Sequence, residues 1–167
     1  TRLYRRINEF ALSRADAIIT QNEIQTERAT ERLDTTIAQI PNCYNSTTVE
    51  PVDWEFDPPV VFWAARFVPW KQPDIVLDLA AELPDVTFVL AGSGNEDLFD
   101  KIKKRSRELD NVHLAGHIPI DEIDRYFAAA DLFLNTSTTE GFPNTFLQAW
   151  AQKTPVAPKP LKNPQQG

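Results

Sequence analysis

A chain of 167 residues is long enough to bury one sound core, or one core and part of another. Its 42% hydrophobic content suits a globular fold, and no apolar run nears the roughly 20 residues that a membrane-spanning helix needs. A net charge of −7 argues against nucleic-acid binding, and the lone Cys43 excludes an internal disulfide and a cysteine-built metal site. The two histidines, His113 and His117, flank a strand-like segment and not a helix face, so no metal site is expected. A chain that starts at Thr1 and contains no methionine is expected to be a piece of a longer protein, and no signal peptide is visible.

Residues 3–13 put Leu3, Ile7, Phe10 and Ala11 on one helical face. The arginines nearby (Arg2, Arg5, Arg6, Arg14) read as a solvated face, so membrane contact has no support there. Ala17–Thr20 reads as a short buried strand, 23–33 as a polar helix and 36–40 as a second strand. Residues 41–58, with Pro41, Pro51 and Pro58 and no periodic run, read as an interdomain linker.

A second α/β series follows. Strands are predicted at 60–64, 86–91, 112–115 and 131–135, with a further one beginning at 154–156. Helices are predicted at 74–83, 96–109, 121–130 and 144–152. The acids Asp121, Glu122 and Asp124 open the third of these and are expected to complement its dipole. Residues 158–167 read as an unstructured tail. Short apolar strands alternating with helices imply a Rossmann-like parallel sheet with helices on both faces. Right-handed crossovers then gather the loops 65–73, 92–95, 116–119 and 136–144 on one edge of the sheet.

That edge is where open α/β sheets bind ligands. Arg66 and Lys71 leave the first strand of the series there, a fork and a point charge suited to a diphosphate. Glu140 and Gly141 precede a helix whose free N–H groups and dipole favour an anion, with Glu140 able to meet uncharged hydroxyls or simply to cap the helix. Gly92 and Gly94 allow close backbone approach to a ligand, although a tight turn explains them equally well. His117 and Ile118, after Gly116, present backbone groups to a flat base or form a plain turn. No Ser–His–acid arrangement, GxxxxGK[ST] loop or GxGxxG is present.

Together Ala65–Lys71, Leu90–Gly94, Asn111–His117 and Glu140–Pro143 with Gln148-Ala149 resemble the nucleotide-sugar-binding half of glycosyltransferase family 4. Ile40-Pro41-Asn42 looks like that family's hinge, and the resemblance spans residues 15–156. It implies a GT-B fold: residues 1–40 as the end of an acceptor-binding domain, 41–58 as linker and 59–157 as most of the donor-binding domain. It implies a cytoplasmic retaining enzyme of hexosyltransferase type, working in the cytoplasm or at the cytoplasmic face of the membrane. The donor would be a nucleotide-diphosphate sugar and the acceptor a glycan, lipid or small molecule, with no metal or other cofactor. Arg66 and Lys71 would hold and stabilise the leaving diphosphate, and Glu140 would contact the sugar. Gly141 and Phe142, followed by Pro143 and Asn144, would meet sugar or phosphate oxygens, and Gln148 would meet the ribose. The parent would be the enzyme, and this piece alone inactive.

Three positions depart from the family pattern: Gln148 for a glutamate, Ala65 for a glycine, and Lys153 for a glycine in a left-handed conformation that costs another residue about 1 kcal/mol. An uncharged Gln148 predicts a weaker ribose bond that glutamate would tighten. Two other readings fit the same motifs: a GT-B sugar-nucleotide epimerase, and a non-catalytic nucleotide-sugar-binding domain.

Overall fold

The computed structural model describes residues 2–45, 47–140 and 142–158, and for residues 2–5 the backbone alone. The chain divides into two compact units, residues 1–43 with 141–143, and residues 44–140 with 144–167.

In the first unit, helix α1 (Arg2–Leu12) precedes strand β1 (Ala17–Thr20), helix α2 (Glu23–Thr30) and strand β2 (Thr36–Gln39). The strands run parallel, Ala17 opposite Thr36 and Thr20 opposite Gln39. Asn22 starts α2 by accepting the Gln25 N–H at 2.9 Å, an ordinary N-cap. The predicted elements are there, but the predicted burial is not. Ile7, Phe10 and Ala11 share a face of α1 and stay exposed, and of β1 only Thr20 is buried. Two strands and two helices have too little mass to cover both faces of so small a sheet. A hollow of 690 Å³ is lined by Leu12 of α1, Ile18 of β1, Ala29 of α2 and Leu33 beyond it.

The second unit holds β3 (Val60–Ala64), a 3-10 turn (Pro69–Lys71), α3 (Pro73–Glu82), β4 (Thr87–Ala91), α4 (Glu96–Ser106), β5 (Val112–Gly116), α5 (Ile123–Ala129), β6 (Leu132–Asn135), α6 (Asn144–Ala151) and β7 (Val156–Pro158). All five strands are parallel, in the order β5-β4-β3-β6-β7. This is the expected Rossmann-like α/β architecture. Pro158 pairs with Asn135 in β7 and so belongs to the sheet and not to the tail. Residues 159–167, the rest of that tail, lie outside the described residues.

All five residues of β3 are buried, and their alternation builds two cores. Val61 and Trp63 pack with Val76, Leu77, Phe88, Leu90 and Ile102 on one face. Val60, Phe62 and Ala64 pack with Val89, Phe127, Phe133 and Ala149 on the other. Each large side chain so buried contributes about 1.5–3 kcal/mol. Asp131, predicted as the first residue of β6, instead accepts the Val60 N–H at 2.8 Å and fastens the start of β3.

The predicted linker is shorter than expected. The boundary between the units falls after Cys43, and the segment from Tyr44 on is packed against the second unit. The Trp54 indole donates to the Ala129 carbonyl at 2.8 Å, Arg125 donates to the Glu50 carbonyl at 3.1 Å, and Phe56 stacks on His113 with ring centres 4.5 Å apart. Apolar and hydrogen-bonded contacts of this kind make the proline-rich stretch a strap. Among the described residues no helix is long and apolar enough to cross a membrane.

Candidate active site

The sheet order sets the site. From β3 the chain steps outward to β4 and β5, then returns to the other side of β3 for β6. The crevice at such a reversal, outside the carboxyl ends of the strands, is where α/β sheets take ligands. The loops after β3 and β6 flank it, and these are the loops that carry Arg66, Lys71 and Glu140.

The two loops are stitched together. The Trp63 indole, 1% exposed at the end of β3, donates to the Thr136 hydroxyl at 2.9 Å. That hydroxyl donates to the Lys71 carbonyl at 2.6 Å, and the Thr138 N–H donates to the Trp70 carbonyl at 2.8 Å. Gln72 completes the turn at φ 48°, a left-handed conformation that a non-glycine adopts only under constraint. The result brings Lys71 to Glu140: Nζ and Oε1 form an ion pair, with 21% of each side chain exposed.

Arg66 is exposed on a separate wall. It lines a 240 Å³ cleft with Ala65, Gly92, Ser93, His117, Ile118 and Thr145. A neighbouring hollow of 410 Å³ shares Gly92, Ser93 and His117 and continues to Gly94 and Phe99. No carboxylate among the described residues pairs with Arg66.

The glycines answer to the protein itself. A Cβ on Gly92, at φ 142°, would lie 1.9 Å from the Ala65 carbonyl oxygen, and one on Gly94 would lie 2.6 Å from that of Phe67. Phe67 in turn receives the Asn95 N–H at 2.9 Å and donates to Ser93 at 3.0 Å. The Gly92 N–H is spent on the Gly116 carbonyl at 2.7 Å. Gly92 and Gly94 thus bring the loop after β4 against the loop after β3, and the cleft follows from that contact.

Asn144 and Thr145 begin α6. Phe142 and Pro143 group with the first unit, where the Asn42 amide, itself bonded to Gln21, donates to the Phe142 carbonyl at 3.1 Å. Gly141 lies outside the described residues. Lys153, at φ 66°, takes the left-handed conformation anticipated for it after α6.

Gln148 is one of the buried residues of α6. It is 5% exposed, and its Nε2 donates to Asp124 Oδ1 at 3.2 Å. Asp124, read in the sequence as a dipole-complementing surface acid, is 7% exposed, and its other oxygen accepts the Tyr44 hydroxyl. Burial and then the bond to Asp124 raise the Tyr44 pKa above its ordinary value, and the Gln148 amide opposes them. The signal was present in the spacing: Asp124 lies three residues before the inward Phe127. The helix itself starts only at Ile123, so Asp121 and Glu122 fall in the turn before it.

The chain belongs to a family of glycosyltransferases. Residues 58–164 match the family model described as glycosyl transferases group 1. The lipopolysaccharide core biosynthesis glycosyltransferase LpsE of Rhizobium meliloti (strain 1021) is 34% identical over 117 residues, covering 68% of this chain and 33% of LpsE. The pneumococcal O-GlcNAc transferase GtfA, solved in complex with UDP and GlcNAc, superposes with a TM-score of 0.71 at 23% identity over 94% of this chain and 33% of that one. Sucrose-phosphate synthase from Thermosynechococcus elongatus does so with a TM-score of 0.75 at 21% identity, over 96% of this chain and 45% of that one. These likenesses define the fold as that of GT-B glycosyltransferases. The chain spans about a third or less of the length of the curated relatives it matches.

Proposed function

We propose that this chain carries the donor half of a retaining family 4 glycosyltransferase that uses a nucleotide-diphosphate sugar. The observation that carries the reading is the pairing of Lys71 with Glu140 at the sheet's reversal, beside a cleft that holds Arg66, with which no carboxylate among the described residues pairs. In this reading residues 44–158 bind the donor, and the first unit is the end of the acceptor-binding domain. The acceptor is a glycan, lipid or small molecule.

The diphosphate gains charge as the bond to the anomeric carbon breaks. Arg66 and Lys71 stabilise that charge, and cations placed beside the leaving group lower the barrier. No metal is required for this, since two cations already supply the neutralising charge. Lys71 exchanges Glu140 for phosphate on binding, and Glu140 is then left to accept hydroxyls of the sugar. The backbone around His117 and Ile118 meets the base, the start of α6 at Asn144 meets sugar and phosphate oxygens, and Gln148 meets the ribose.

Calorimetric titration with UDP, GDP, ADP and inorganic phosphate tests the reading. Selective binding of one nucleoside diphosphate is expected. A folded chain that binds none of the four would overturn it.

A further inference from the structure

The 240 Å³ cleft that holds Arg66 shares Gly92, Ser93 and His117 with the 410 Å³ hollow, which α4 also lines with Glu96, Phe99 and Asp100. The cleft alone is smaller than the roughly 300–1,000 Å³ that small-molecule sites take, and the hollow lies inside that range. Phe99 is half-buried and meets Phe67 edge to face, ring centres 5.0 Å apart, which gives the hollow a fixed apolar surface. Glu96 and Asp100 stand one helical turn apart, so they share a face of α4. The cap of that helix is supplied by Asn95, which accepts the Leu98 N–H at 2.8 Å. The α4 cations Lys101 and Arg105 pair with Asp74 and Asp78 of α3. Neither Glu96 nor Asp100 takes part in an ion pair among the described residues. The connected space thus carries a cation in one part and uncompensated carboxylates in the other. An anion suits the first, and a neutral group rich in hydrogen-bond donors suits the second.

We propose that the hollow takes the base of the donor nucleotide and that Glu96 and Asp100 select guanine. The inference rests on the nucleotide-donor reading and deepens it by naming the base. A carboxylate only accepts hydrogen bonds. Guanine presents its N1–H and its N2 amino group side by side, so one carboxylate takes both as a parallel pair and the other accepts the second N2 hydrogen. Uracil has a single N3–H between two carbonyl oxygens, which a carboxylate repels. Adenine sets its amino group beside the N1 lone pair, so a carboxylate gains one bond and meets one repulsion. The two acids also stand near the place of an anionic diphosphate, and that repulsion weakens every nucleotide alike. Only guanine recovers the loss through its paired bonds, so selection comes from repulsion as well as attraction.

The test uses the full chain and calorimetric titration with GDP, UDP, ADP and inosine diphosphate, which is GDP without the N2 amino group. The wild type is expected to bind GDP about tenfold more tightly than the other three, the discrimination of one well-formed bidentate pair. Glu96→Ala/Asp100→Ala, checked by a thermal melt, is expected to lose about tenfold in GDP affinity while binding UDP and ADP as tightly as the wild type or more so. If that variant fails to fold, Glu96→Gln/Asp100→Asn, which keeps the shapes and removes the charges, takes its place. Asp97→Ala removes the same charge from the first turn of α4 at a residue that does not line the hollow, and should leave the GDP-to-UDP ratio within about twofold of wild type. A wild type that prefers UDP or ADP, or that binds inosine diphosphate as tightly as GDP, overturns the inference and leaves the donor reading standing. A double variant that keeps the GDP preference, or that weakens all the nucleotides equally, does the same. A folded wild type that binds no diphosphate overturns both.

Discussion

Lys71 and Glu140 stand 69 positions apart in the chain and neutralise each other through an Nζ–Oε1 ion pair. Neither residue's immediate surroundings in the sequence announce the other. The pair exists because β3 and β6 are neighbours in the sheet, joined at Val61–Leu132 and Phe62–Phe133, and because threonines tie the loops that follow them.

That pairing gives Lys71→Ala two consequences. It removes a charged hydrogen-bond donor, worth about 1.5–3 kcal/mol or roughly 10- to 150-fold in nucleoside diphosphate affinity. It also uncovers the Glu140 carboxylate beside the anion. Adding Glu140→Gln should therefore recover about threefold or more of the loss, measured by calorimetry as a double-mutant cycle. Losses that simply add would show that the two residues do not share a ligand.

Gly92 and Gly116 both have positive φ, but they differ in surroundings. Alanine at 92 meets the Ala65 carbonyl at 1.9 Å, whereas alanine at 116 meets nothing within 4 Å. Gly92→Ala should destabilise by on the order of 3 kcal/mol or more, because backbone must move. Gly116→Ala should cost only the conformational term, about 1–2 kcal/mol. Urea unfolding of the two variants separates these effects, and equal midpoints would contradict the packing described.

Lys153 is a non-glycine residue held at φ 66° just beyond α6. Lys153→Gly should relieve that strain and stabilise by about 1 kcal/mol, raising the melting temperature by a few degrees. A lower melting temperature would mean that the lysine side chain has a stabilising contact outweighing its backbone cost.

The second unit was largely legible in the sequence, because a strand buried on both faces must be apolar throughout and its helices must show a 3.6-residue period. Val60–Ala64 is such a strand, and Ile123 and Phe127 mark such a helix. Helix ends were less legible: the helix predicted over 96–109 stops at Ser106, and its last turn is irregular. The first unit was legible as elements and not as burial, since Ile19 has the composition of a core strand yet is 66% exposed. At the site, Arg66, Lys71 and Glu140 could be read from position relative to the strands. The bond between Gln148 and Asp124 could not, because it depends on how α5 and α6 pack, which no spacing within either helix encodes.

The stitches between the two ligand-edge loops end on the main-chain carbonyls of Trp70 and Lys71. A main-chain acceptor is the same whatever side chain its residue bears. The exposed side chains of the loop after β3, Arg66 and Trp70 among them, can therefore be exchanged while the frame that presents them stays fastened, whereas the buried Phe67 and Val68 belong to that frame. Gly92 and Gly94, pressed against that loop's backbone, are where such drift is forbidden.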